Sequence, residues 1–160
     1  MGPIRSSIGG GLAATVVLTI FLLGVDALLR GSDLFVFVTF TSFCAIGGPP
    51  YCEGGSPMAA GLLFVSYSGL FALAWPLLFG GFTWAIPGET GAAHGVVFGF
   101  VLWTGYVVVL SGSPVADRTI VETVTLSAIT LAAYLVYGLT LGAVYDYLTN
   151  DRTVRSAGTA

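Results

Sequence analysis

The sequence predicts an all-α, polytopic membrane protein: a four-helix transmembrane bundle with an interfacial or re-entrant segment between helices 1 and 2. Three observations carry that prediction. Of the 160 residues, 56% are apolar and only 8% are charged, against about 25% charged in an average soluble domain. Five basic and eight acidic side chains cannot cover the surface of a soluble fold of this size, and the alternative solvent is lipid. The apolar residues fall into four long runs, and the charged ones fall near the ends of those runs.

The length suits a single membrane domain over residues 1–160. Every basic residue is arginine, and the net charge is −3. A chain without a polybasic stripe is not built to neutralise a phosphate backbone, so nucleic acid is excluded as a partner.

The first span is expected at residues 8–29, with Ser6 or Ser7 capping its start. It is longer than the apolar core of a signal peptide, about 7–15 residues, and reads as a retained membrane helix. At about 1.5 Å per residue it covers roughly 33 Å, enough for a hydrocarbon core of about 30 Å. Gly9, Gly10, Gly11, Ala13 and Ala14 crowd its first half, and small residues let a second helix backbone come close. Asp26 in the last turn and Arg30 four residues on can pair at the interface.

Residues 31–57 form the extramembrane section. Within it, residues 34–46 are too short to span and suit an interfacial or re-entrant segment. Gly47-Gly48-Pro49-Pro50 is a compact turn between the only two cysteines, Cys44 and Cys52. If that loop faces outward, the turn lets them form a disulfide; otherwise they are unpaired packing residues, or metal ligands that need a partner's help.

The second span is expected at residues 58–79, with Pro76 freeing a backbone carbonyl near its end and Trp75 and Trp84 as interfacial anchors. Residues 80–91 make a turn. The third span covers residues 92–110 and the fourth residues 120–146, with a polar tail at 149–160. Four spans put both termini on one side. Arg5, Arg152 and Arg155 stand with the termini, while Arg30 and Arg118 stand opposite, so the termini are expected in the cytoplasm of a multi-pass plasma-membrane protein.

His94 is the only histidine, one turn into the third span. Such a group suits a proton carrier, a quinone partner or a metal ligand. It equally suits a helix-start histidine that bonds Glu89, a backbone carbonyl or a partner subunit. A haem held by two histidines is excluded by the count, and no zinc or copper ligand set is evident. No cofactor is expected. Asp26, Glu122 and Asp146 are the carboxylates nearest the spans, and interfacial pairing near Arg30 and Arg118 explains the first two. Gly95 with Gly99, and Gly138 with Gly142, are spaced for close helix contact, and the two spans that carry them echo one another faintly. No phosphate loop, nucleophile elbow or dinucleotide fingerprint is present, so no catalytic residue is assigned.

The runs Ile8-Gly9-Gly10-Gly11-Leu12-Ala13-Ala14-Thr15, His94-Gly95-Val96-Val97-Phe98-Gly99 and Val136-Tyr137-Gly138-Leu139-Thr140-Leu141-Gly142-Ala143-Val144-Tyr145 resemble a family of small haloarchaeal four-span membrane proteins of unknown function. That resemblance implies a four-helix membrane fold and carries no catalytic residues. The expected function is an accessory or scaffold subunit packing with another membrane protein, or with itself, in a larger complex, a respiratory complex among the candidates. Two alternatives stand beside it: a homo-oligomeric channel or carrier using His94 and the span-end carboxylates, and a metal or redox protein using Cys44, Cys52 and His94.

Overall fold

A computed structural model describes residues 3–29, 43–44, 47–52, 56–85, 90–111 and 120–157. Among them the regular elements are helical: α1 (Pro3–Leu28), a single turn α2 (Pro49–Cys52), α3 (Pro57–Ala85), α4 (Gly91–Ser111) and α5 (Ile120–Ala157). Four of these helices are long and apolar enough to cross a membrane.

The helices run up and down in turn, and specific contacts fix their register. Along α1 and α3, Ser7 lies by Gly80, Gly11 by Pro76 and Thr19 by Tyr67. Each step forward in one helix is matched by a step back in the other. Helix α5 lies between α1 and α4 and packs against both. The core is narrow, built from Ala14, Leu18, Phe71, Phe79, Phe98, Tyr137 and Leu141. The outer surface is apolar instead, with Phe64 71% and Trp84 91% exposed. A polar interior with an apolar exterior would suit a pore; here both are apolar, which suits a packed bundle solvated by lipid.

Helix α3 contains a π-helical turn at Leu70–Ala74, in which the Trp75 amide donates to the Leu70 carbonyl five residues back. Continued by one residue, that register would give the Phe71 carbonyl to the amide of residue 76, which proline lacks. The Tyr137 hydroxyl takes its place, donating to Phe71 O at 2.6 Å. In lipid a freed carbonyl has no water to turn to, so a neighbouring side chain must supply the donor.

The helices run past three of the expected boundaries. Helix α1 begins at Pro3, where a missing amide costs nothing, and Ser6 and Ser7 are buried inside it rather than capping it. The second span does not stop at residue 79. It continues through Gly80 and Gly81 to Ala85, because Gly80 seats Ser7 where a Cβ would stand 2.6 Å from its Oγ. Trp75 therefore lies inside the bundle, half-buried against the core, whereas the exposed Trp84 sits at the helix end. The tail expected from residue 149 is helical as far as Ala157. Most of the interfacial segment expected at 34–46, namely 34–42 and 45–46, lies outside the described residues.

Candidate functional site

The end of the bundle that holds the α1 and α4 starts gathers the first of the sequence-derived candidates. His94 is buried in the first turn of α4. Its Nδ1 lies 2.9 Å from the Thr90 carbonyl, which selects the tautomer with the proton on Nδ1 as donor. The ring meets Phe82 of α3 edge-on, at 6.3 Å between centroids. Phe82 and Phe79 in turn pack on Phe98, and Phe79 on Tyr145. The histidine thus belongs to an aromatic joint between α3, α4 and α5. Glu89, its expected partner, lies outside the described residues.

The glycines of α4 and α5 make one seam. A Cβ on Gly95 would collide with the Gly138 carbonyl, one on Gly138 with the Gly95 carbonyl, and one on Gly99 with the Tyr134 carbonyl. Gly142 meets Gly91 in the same way. Backbone lies on backbone over about two turns, which only hydrogen in the place of a side chain permits.

Asp146 continues that seam. Its carboxylate accepts a hydrogen bond from the Gly91 amide at 2.5 Å, satisfying one of the open donors at the start of α4 and setting a negative charge against the positive end of the helix dipole. From sequence alone Asp146 is one of several span-end acids, and this capping role is not apparent. A signal was available: Gly138, Gly142 and Asp146 repeat every four residues, as do Gly91, Gly95 and Gly99 in the opposite direction.

The remaining candidates lie at the other end. Cys44 and Cys52 are joined in a disulfide with Cα atoms 4.9 Å apart. Gly48, at φ +73°, makes the turn between them. Tyr51 stacks on Phe43 and its hydroxyl lies 3.0 Å from Ser66 Oγ. Asp26 is half-buried in the last turn of α1. Glu122 belongs to the first turn of α5; its side chain, like Arg30 and Arg118, lies outside the described residues. Ser66, beside the disulfide loop, and Phe82, beside His94, are sixteen residues apart on α3, roughly 24 Å along the helix. The cysteines and His94 therefore do not share a site. Among the described residues no group of three or more His, Cys, Asp or Glu side chains could hold a metal ion.

Fold and site together define a bundle of four helices, each long and apolar enough to cross a membrane, whose last two are joined backbone to backbone. The chain belongs to the family of unknown function DUF6789, whose sequence profile matches residues 1–156. No curated protein and no solved structure matches it.

Proposed function

We propose that the protein is a non-catalytic integral membrane subunit that packs, as an accessory or scaffold, within a larger membrane assembly. One observation carries this reading: the distribution of its glycines. Those of the α4–α5 seam are consumed inside the bundle, but Gly24, Gly61, Gly81 and Gly105 are exposed, and among the described residues a Cβ on any of them would meet nothing within 4 Å. An outward glycine gives an isolated bundle no packing. It is useful where a second backbone comes close.

The core supports the same choice over a channel. Phe71, Phe79, Tyr137 and Leu141 fill the axis of one copy, so a conducting path would have to run between copies. In this reading the termini face the cytoplasm and the disulfide end faces the oxidising side, where such bonds persist. Residues 34–46 lie in the outer interface, and the source is haloarchaeal. A respiratory complex is the first assembly to test.

Purification from native membranes in mild detergent, followed by native mass measurement, tests the proposal. A stoichiometric membrane partner is expected. A solitary monomer that retains its fold and its bound lipid would overturn it.

A further inference from the structure

Helix α3 is built from two lengths that meet at the π-helical turn Leu70–Ala74, and they are held differently. In the second length Pro76 lies directly against Gly11 of α1, and Gly80 against Ser7. Contacts this close to the backbone fix a helix in place. In the first length, Pro57–Gly69, Gly61 and Gly69 meet no described atom within 4 Å. Side-chain bonds orient it instead: the Tyr67 and Thr19 hydroxyls lie 3.0 Å apart, as do those of Ser66 and Tyr51.

The π-helical turn carries one residue more than an α-helix would. If it closed to α-helical bonding with the second length fixed, the first would turn by roughly 100° and draw in by about 1.5 Å. Each of its residues would then take the place now held by the one before it. The sequence suits that exchange. Ala60 would replace the buried Ala59, Phe64 the half-buried Leu63, and Ser68 the Tyr67 that faces Thr19. An apolar group or a hydroxyl again falls where one is required, while Phe71 gives way to the smaller Ala72. The backbone suits it too. The Trp75 amide, now on Leu70, would return to the Phe71 carbonyl, and Pro76 would leave Ala72 rather than Phe71 without its donor.

We propose that α3 is a two-register helix, with the bond from the Tyr137 hydroxyl to the Phe71 carbonyl as its latch. That bond, at 2.6 Å, satisfies a carbonyl that Pro76 leaves free in the π register alone. The Phe71 ring, edge-on to Tyr137, holds the same register. Two packings of one sequence, separated by a few such contacts, make a bistable element. Turning puts Leu62 where Gly61 now stands, on an exposed face. That the turn thereby closes a face to a partner rests on the assembly proposed above. The register change does not, since all its parts are in one chain.

Cross-linking of the full chain in lipid nanodiscs reads the register. Thr19→Cys is combined in turn with Tyr67→Cys, Ser68→Cys and Val65→Cys, and closure of the new disulfide is timed under mild oxidation. Position 65 is exposed in both registers and sets the background. With Tyr137 present the 19–67 pair should close fastest, and the 19–68 pair should still outrun the background. Tyr137→Phe should raise the ratio of 19–68 to 19–67 closure by about five-fold or more. Deleting Ala74 removes the extra residue and holds the first length where it now stands. In that background the 19–68 rate should fall to the 19–65 level, and Tyr137→Phe should leave it there. A 19–68 rate at background with Tyr137 present overturns the proposal, as does a ratio unmoved by Tyr137→Phe. An equal rise in all three pairs also overturns it, because the helix would then be loosening rather than changing register.

Discussion

The Tyr137 hydroxyl and the Phe71 carbonyl meet at 2.6 Å in the centre of the bundle, and this bond makes Pro76 tolerable in a membrane helix. Tyr137 is 0% exposed, so no solvent can replace it. The same ring stands edge-on to Phe71 at 5.3 Å. Tyr137→Phe keeps that packing and removes only the donor. We expect a loss of about 1–3 kcal/mol, the cost of a buried acceptor left alone, read as a lower thermal midpoint in detergent. In a Pro76→Ala background the backbone regains an amide for the freed carbonyl, so the same change should cost less. A double-mutant cycle showing no coupling would break the link between the two residues.

Gly138 tests the seam. Its Cβ position is occupied by the Gly95 carbonyl, and a carbonyl held in a helix cannot step aside. Gly138→Ala must push α4 and α5 apart, at about 1–3 kcal/mol, partly offset by alanine's better helix propensity. Gly105→Ala on the outer face meets no described atom within 4 Å and should leave stability unchanged or raise it by up to about 1 kcal/mol through helix propensity. Equal effects at the two sites would mean that the seam is not what holds the helices together.

Asp146 is a helix cap supplied from another helix. Asp146→Ala removes the acceptor at the Gly91 amide and should cost about 0.5–2 kcal/mol, as lost caps do. Asp146→Asn keeps an oxygen acceptor and should recover part of it. Amide exchange over residues 91–94 is the direct readout, because the first turn of α4 should fray before anything else moves.

These residues also show what could be read in the chain beforehand and what could not. Four spans follow from the length and apolarity of the runs, which no tertiary detail alters. Glycines four apart mark a face, but spacing does not say which helix meets it; that pairing comes from the antiparallel register of α4 and α5. The π-helical turn was hidden because one extra residue in a uniformly apolar run leaves the hydropathy unchanged. Its only trace is Pro76, whose lost donor is supplied 61 residues away by Tyr137. Gly80 and Gly81 suggested a turn by composition, yet Ser7 of α1 needs the missing side chain, and the helix runs on. The role of Asp146 lay in a four-residue repeat that changes residue type at its last step.

His94 separates the packing reading from the channel. With Nδ1 turned to the Thr90 carbonyl and the ring against Phe82, it acts as part of a helix joint. His94→Ala should therefore lower stability by about 1–2 kcal/mol. Ion flux through proteoliposomes of the wild type should not exceed that of empty vesicles. A wild-type flux abolished in the variant, at equal reconstitution, would move the histidine into a conducting path between copies.

The outward glycines bear on the partner itself. Gly61 and Gly105 stand on the first half of α3 and the second half of α4, and neither has a described neighbour within 4 Å of its Cβ position. Leucine at either place is accommodated by lipid and favours the helix over glycine, so Gly61→Leu and Gly105→Leu should leave the isolated bundle as stable as the wild type or up to about 1 kcal/mol more stable. If a partner's backbone lies on these faces, the same leucines hold it off by the width of a side chain. The close contact on which lipid-phase association depends is then lost. The expected result is an intact, correctly folded protein that no longer co-purifies with its assembly. Co-purification undiminished by both substitutions would show that these two faces meet only lipid and that the assembly, if it forms, uses another side of the bundle.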